Sequence, residues 1–200
     1  MRIGIDVDGV LTELNQFTTD YLTKYLVENN IDYKIGKADY EAYAAFGIDQ
    51  QTEDDFWAEY LDLYARKVRA CAFASEVIKK LKEDGHEIYI VTARWLTNRD
   101  DEVGEDMRNK VKVWLSENDI IYDKLIFTKA KKEKKLDEIK EFKIDFMIED
   151  SPKNIEDLSK VVPMICYHAE YNKDFNFENT TRCFSWYDIY RVIKKMSVNN

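Results

Sequence analysis

Short apolar runs rich in β-branched residues recur along the chain, and over its second half helical patterns fill the gaps between them. No other feature constrains the fold as strongly. The runs are Arg2 to Val7, His86 to Ala93, Lys124 to Thr128, Ile144 to Glu149, Val162 to His168 and Thr180 to Ser185, and they read as strands. Val77, Ile78 and Leu81 share one helix face, as do Val111, Trp114 and Leu115, while Ile189, Val192, Ile193 and Met196 follow i, i+3, i+4, i+7. Strands alternating with short helices imply right-handed crossovers and a parallel sheet with helices on both faces. IYIVTA and DFMIED are apolar almost throughout, as strands covered on both faces require. The expected fold class is α/β, with a Rossmann-like parallel sheet.

One stretch breaks the alternation. Glu13 to Ser75 holds helical patterns and no convincing strand, so it reads as a helical insert between a core of residues 1–12 and 76–200. The insert is richer in aromatics than its share of the length. Those rings form either the insert's own core or the faces of a lid on which a planar ligand could stack; Trp57 and Tyr60, at i and i+3, are the pair best placed to flank one.

Composition narrows the partners. Acidic side chains outnumber basic ones 39 to 30, for a formal charge of -9, so the mean field repels nucleic-acid polymers and anionic membranes. Any bound phosphate must meet a local positive site. Cys71, Cys166 and Cys183 are odd in number and widely spaced, which encodes neither a disulfide framework nor a zinc site and suits a reducing cytoplasm. MRIGIDVDGV is too short and too charged for a signal peptide or a spanning helix. His86 and His168 have no ligand partner at metal spacing and read as structural. No pattern specifies an oligomeric state.

The chemistry concentrates where apolar strands end in carboxylates. The first strand runs into Asp6-Val7-Asp8-Gly9-Val10, and ligands of open α/β sheets bind beyond the carboxyl ends of strands. Alternation sends Asp6 and Asp8 to the same side, and Gly9 allows a tight turn just after them. Such a pair repels itself unless a cation sits between or one member holds a proton, which points to Mg²⁺ and to acid/base work. A calcium loop is excluded: counted from Asp6, Gly9 is fourth and Phe17 twelfth, where glycine is needed sixth and glutamate twelfth. A second acidic strand end, IEDSPKN, offers Glu149 and Asp150, followed by Ser151 as helix N-cap and Pro152 as the first helical residue. In VTAR, Thr92 and Arg94 reach the same sheet edge, where a hydroxyl and a charged fork suit phosphate oxygens. The segment KAKKEKK, Lys129 to Lys135, is mostly a solvated face with room for one or two working lysines.

As a set, DVDGV, VTAR, a downstream lysine and IEDSP resemble the four motifs of the haloacid dehalogenase superfamily of phosphatases, over nearly the whole chain. The insert after the first motif looks like a C1 cap. Trp114-Leu115, YDKLIF at Tyr122 to Phe127, Tyr171-Asn172 and Ser185-Trp186 add a similarity to the 5'(3')-deoxyribonucleotidase branch. The resemblance implies Asp6 as nucleophile and Asp8 as general acid and then base. It also implies Mg²⁺ on the Asp6 and Asp150 carboxylates and the Asp8 carbonyl, with Glu149 assisting. Thr92 would grip phosphoryl oxygens, and Lys135, with Lys132 as alternate, would be the family lysine. Two positions depart from the animal-type enzymes: Leu14 stands where they carry an aromatic, and Glu149 where they carry an aspartate.

The implied activity is Mg²⁺-dependent hydrolysis of a small-molecule phosphomonoester, a (deoxy)nucleoside monophosphate first. A sugar phosphate or similar metabolite is the alternative substrate. A non-catalytic phosphate-binding regulatory domain is a further reading, against which Asp8 stands.

Overall fold

In a computed structural model of the protein, residues 1–128 and 134–198 are described. Six parallel strands form one sheet in the order β3-β2-β1-β4-β5-β6: β1 (Arg2–Ile5), β2 (Glu87–Thr92), β3 (Lys124–Phe127), β4 (Phe146–Glu149), β5 (Met164–Tyr167) and β6 (Thr180–Cys183). Helices α1 (Leu14–Glu28), α2 (Ala42–Phe46) and α3 (Gln50–Lys67) lie between β1 and α4 (Ala74–Glu83); α5 (Glu102–Glu117), α6 (Lys134–Glu141), α7 (Pro152–Leu158) and α8 (Trp186–Val198) complete the chain. Right-handed crossovers put α4 and α5 on one face and α6 and α7 on the other. This is the expected α/β architecture. Ile3, Ile5, Ile88, Ile90, Ile148 and Ile165 are wholly buried, which is why those strands carry no polar alternation.

All six runs become strands, though shorter than the sequence suggests. β1 pairs with β2 and β4 only through Ile5. Asp6 still donates its amide to Ile148 O at 3.0 Å, and the chain then turns at Gly9, whose φ is +77°. A Cβ there would come within 2.0 Å of the Asp150 carboxylate, so glycine is required by conformation and by space. Gly4 is likewise fixed, because a Cβ would sit 2.6 Å from Met147 Sδ on β4. Gly4 thus marks the close approach of β1 and β4, and Gly9 that of the segments just beyond them.

The insert leaves and rejoins the core through chain segments lying side by side. Thr12 bridges Ala70 in antiparallel fashion, Glu13 N donates to Arg69 O at 2.9 Å, and Cys71 N donates to Leu11 O at 2.7 Å. Ala74 and Ser75 already belong to α4, which packs on β2 and α8. Helix α3 begins on an Asp49 cap, whose carboxylate accepts from Thr52 N at 2.7 Å, and packs along α5. There Lys110 pairs with Asp62 at 2.6 Å, and Trp114 Nε1 donates to Val68 O at 2.8 Å. Inside the insert, Phe56 is wholly buried and stacks on Tyr60, centroids 5.1 Å apart.

Candidate active site

The strand order runs outward from β1 through β2 to β3, then resumes on the other side at β4. The crevice at such a switch point, beyond the carboxyl ends of β1 and β4, is where an open α/β sheet offers a site. The first and fourth sequence motifs meet there. Carboxylate oxygens of Asp6, Glu149 and Asp150 lie within 4.8 Å of one another, all buried. Lys135, from the first turn of α6, donates to Asp6 Oδ1 at 2.8 Å and Glu149 Oε2 at 2.5 Å. Lys132 lies outside the described residues.

Glu149 is held from four directions. Beyond Lys135, its Oε1 accepts from the Asp150 and Ser151 amides at 3.1 Å each, and Oε2 accepts from Asn154 Nδ2 at 3.2 Å. Ser151 does precede α7 with Pro152 in its first turn, as expected, but its hydroxyl makes no capping bond, and Glu149 occupies its amide instead. Asp150 accepts from the Tyr171 hydroxyl, and Asn172 Nδ2 bonds the Asp150 carbonyl at 2.9 Å.

Three buried carboxylates against one ammonium leave an excess of negative charge. Burial, then the neighbouring Glu149, push Asp6 up to about 7 despite Lys135. Asp150 is pushed well above the usual carboxylate range by burial, Glu149 and Asp6. Burial works most strongly to raise Glu149, yet Lys135 together with the hydrogen bonds from Asp150 and Ser151 holds that group low. The same two acids keep the Lys135 ammonium charged against burial. A hard divalent cation fits this donor set, since oxygen ligands at close spacing and excess negative charge are what it requires.

Thr92 ends β2 wholly buried, and its hydroxyl accepts from Arg94 N at 3.2 Å. Arg94 is placed otherwise than the sequence suggests. Its fork is engaged by Asp8 rather than held open to a phosphate: Nε lies 3.0 Å from Asp8 Oδ1 and Nη2 bonds the same oxygen. Asp8 lies at the end of β2 against Arg94 and is not one of the three clustered carboxylates.

Several cavities border the insert, among them one of about 410 Å³ lined by Leu14, Ala42, Phe46, Trp57 and Tyr171; two others reach the residues of the sheet edge. One of about 520 Å³ is lined by Lys135, Thr128, Ser151 and Asn154 of the core and by Lys37 and Tyr40 of the insert. Lys37 pairs with Asp174 at 2.8 Å, and the Tyr40 and Tyr171 rings meet edge to face at 5.4 Å, so insert and core touch across its mouth. The other, about 350 Å³, is bounded by Asp8, Leu14, Trp57, Tyr64, Arg94 and Trp95. Trp57 therefore faces open space, while Tyr60 packs in the insert and separates from it. Tyr64 and Tyr40 gain contacts that no sequence pattern marks.

Neither histidine joins the acidic cluster: His168 lies tilted against Phe184, centroids 4.7 Å apart, and His86 sits beside the amino terminus. All three cysteines are free. Among the described residues no helix is long and apolar enough to cross a membrane.

Comparison with known proteins adds an independent finding. Residues 1–198 match the family profile described as 5' nucleotidase, deoxy (pyrimidine), cytosolic type C protein. A Bacillus cereus protein, provisionally named as a nucleotidase, is 29% identical over 199 residues, covering 98% of this chain and 99% of its own. Among solved structures, a haloacid dehalogenase-like protein of Agrobacterium tumefaciens superposes with a TM-score of 0.64 at 16% identity, over 98% of each chain. The D,D-heptose 1,7-bisphosphate phosphatase of B. bronchiseptica, complexed with magnesium and phosphate, does so at 0.57 and 10%, again over 98% of each. Both share the fold.

Proposed function

Since the chain belongs to the cytosolic type C 5' nucleotidase family, and so to the phosphatases and nucleotidases of the haloacid dehalogenase superfamily, we propose that it is a Mg²⁺-dependent phosphomonoesterase working through an aspartyl-phosphate on Asp6. The favoured substrates are deoxynucleoside monophosphates. The observation that carries this reading is the Asp6-Lys135-Glu149 bridge across the switch point, with Asp150 beside it and Asp8 two residues from Asp6.

On this reading the residues take the roles that the family resemblance implies. An Asp6 carboxylate oxygen attacks phosphorus and the ester P–O bond breaks, while Asp8 gives its proton to the departing alkoxide. Asp8 then takes a proton from water as that water attacks phosphorus, which frees Asp6 and inorganic phosphate. Lys135 fixes Asp6 and places positive charge beside the transferring group, and Thr92 with the adjoining backbone amides receives its oxygens. The carboxylates of Asp6 and Asp150, the Asp8 carbonyl and, in support, Glu149 would hold Mg²⁺. When bound, the ion neutralises charge on the phosphoryl oxygens and lets three acids coexist.

Phosphate release from a panel of nucleotides and sugar phosphates tests the reading. Hydrolysis of deoxynucleoside monophosphates with Mg²⁺, and none in EDTA, is expected. Preference for a sugar phosphate would move the substrate, and full activity in chelator would remove the metal.

A further inference from the structure

Asp8 stays out of the acidic cluster and is held by groups the sequence does not connect with it. Its Oδ1 accepts from Arg94 Nε at 3.0 Å, from Arg94 Nη2 and from the Tyr64 hydroxyl at 2.6 Å; Oδ2 takes only a longer 3.2 Å contact from Nε. The Arg94 side chain is 2% exposed, against 25% for that of Asp8. It lies over the Tyr64 ring, 4.9 Å from the centroid, and its Nη1 is buried with no partner. The Tyr64 hydroxyl is also 2.9 Å from that of Thr12, which accepts from Gly9 N at 3.1 Å. One network therefore joins the end of β2, helix α3 and the turn that carries Asp8.

Burying a guanidinium with one nitrogen unsatisfied is costly, and a surface ion pair would hold two elements together at less expense. What this arrangement adds is geometry. Three donors from two separate elements on a single oxygen fix the plane of the carboxylate, and a carboxylate has about four lone-pair sites in all, so the open ones belong to Oδ2. The anchor on α3 is itself tied to α5, through Trp114 Nε1 on Val68 O and Lys110 on Asp62.

We infer that Arg94 and Tyr64 are positioning residues for Asp8: they lock Oδ1, so that Oδ2 is the oxygen that exchanges a proton with the leaving group, and Arg94 does not itself bind the phosphoryl group. This rests on the reading of Asp8 as general acid and base.

The test compares Tyr64→Phe, which keeps the ring over Arg94 and removes only its hydroxyl, with Arg94→Lys, which keeps the charge and removes the fork. Asp8→Asn serves as reference. The readout is the maximal single-turnover rate of leaving-group release, and the concentration giving half of it, for a nucleotide and for p-nitrophenyl phosphate, whose leaving group needs no proton. Tyr64→Phe is expected to slow nucleotide cleavage about tenfold, the low end for a lost hydrogen bond to a charged group. Arg94→Lys is expected to slow it about 100-fold, within the range of a misplaced general acid. Aryl phosphate cleavage and both half-saturation concentrations should stay within about threefold, since neither group touches the phosphate on this reading.

Equal losses on the two substrates, or a raised half-saturation concentration at unchanged rate, would overturn the inference, the latter by making Arg94 a phosphate ligand. If Asp8→Asn spares the nucleotide reaction, the acid/base reading fails and takes the inference with it. If Asp8→Asn shows the leaving-group dependence and the other two do not, only the inference fails. Should Arg94→Lys not fold, Tyr64→Phe decides alone.

Discussion

At the carboxyl ends of β1 and β4 the charged groups are buried and multiply held, whereas the insert meets the cavities with rings that keep part of their surface open. Glu149 is 1% exposed and accepts from Lys135, Asn154 and two backbone amides. Trp57 leans on Phe17, Phe56 and Tyr64 yet borders two cavities together with Leu14. Transfer of a phosphoryl group depends on positioning and fixed charge and tolerates little freedom. Discrimination between leaving groups needs a surface that can differ without disturbing the fixed set. The two regions should therefore fail differently when changed.

The largest expected effect is at the sheet edge. Asp6→Asn keeps the shape but removes the nucleophile and an anionic ligand, so turnover should fall by several orders of magnitude for every substrate alike, with the fold retained. Phosphate release and thermal melting check this together. Residual activity above about a tenth of wild type would place the nucleophile elsewhere.

A smaller and selective effect is expected in the insert. Base stacking on an aromatic contributes about 1 to 3 kcal/mol, so Trp57→Ala should lower kcat/KM for a nucleotide about 5- to 150-fold and barely alter a small aryl phosphate. Equal losses on both, with a lower melting temperature, would show that Trp57 is insert core and erase the contrast between the regions.

The smallest effect is a pH signature of the sheet edge in metal-free protein. Asp6 is raised from 3.8 to about 7 on folding, by burial first and Glu149 second. A group raised in the folded state contributes its stability below its unfolded value and loses it as pH rises through the folded one. In EDTA the melting temperature of wild type relative to Asp6→Asn should therefore fall between about pH 4 and 7, and Mg²⁺ should restore it most at the upper end. A gap that is flat or widens with pH would contradict the burial of Asp6.

The same contrast explains what the sequence discloses. The α/β alternation and the acidic strand ends are local signals: a strand buried on both faces must be apolar, so the carboxylates that terminate it stand out. Glu149 and Asp150 were legible for that reason, whereas Lys135 was singled out from its lysine-dense segment only by the family resemblance, with Lys132 as alternate. Contacts between insert and core leave no such trace. Tyr64 of the insert reaches Asp8 across 56 residues, and within the core Arg94 meets the same carboxylate from 86 residues away, which is equally unmarked. In α3 the spacing i, i+3 joined Trp57 to Tyr60, but the stripe that faces the cavity is Trp57, Leu61 and Tyr64, at i, i+4 and i+7, while Phe56 and Tyr60 turn inward. Choosing between two faces of an aromatic helix requires knowing what each packs against.

The central claim, that the crevice between β1 and β4 transfers a phosphoryl group through Asp6, is tested most directly by trapping the covalent enzyme. Protein quenched in acid during turnover of a nucleotide with Mg²⁺ is treated with borohydride, which reduces an acyl phosphate to the alcohol, and its peptides are mapped by mass. The expected result is conversion of Asp6 to homoserine, dependent on substrate and abolished in EDTA. Reduction at another carboxylate, or none while phosphate is being released, would contradict it.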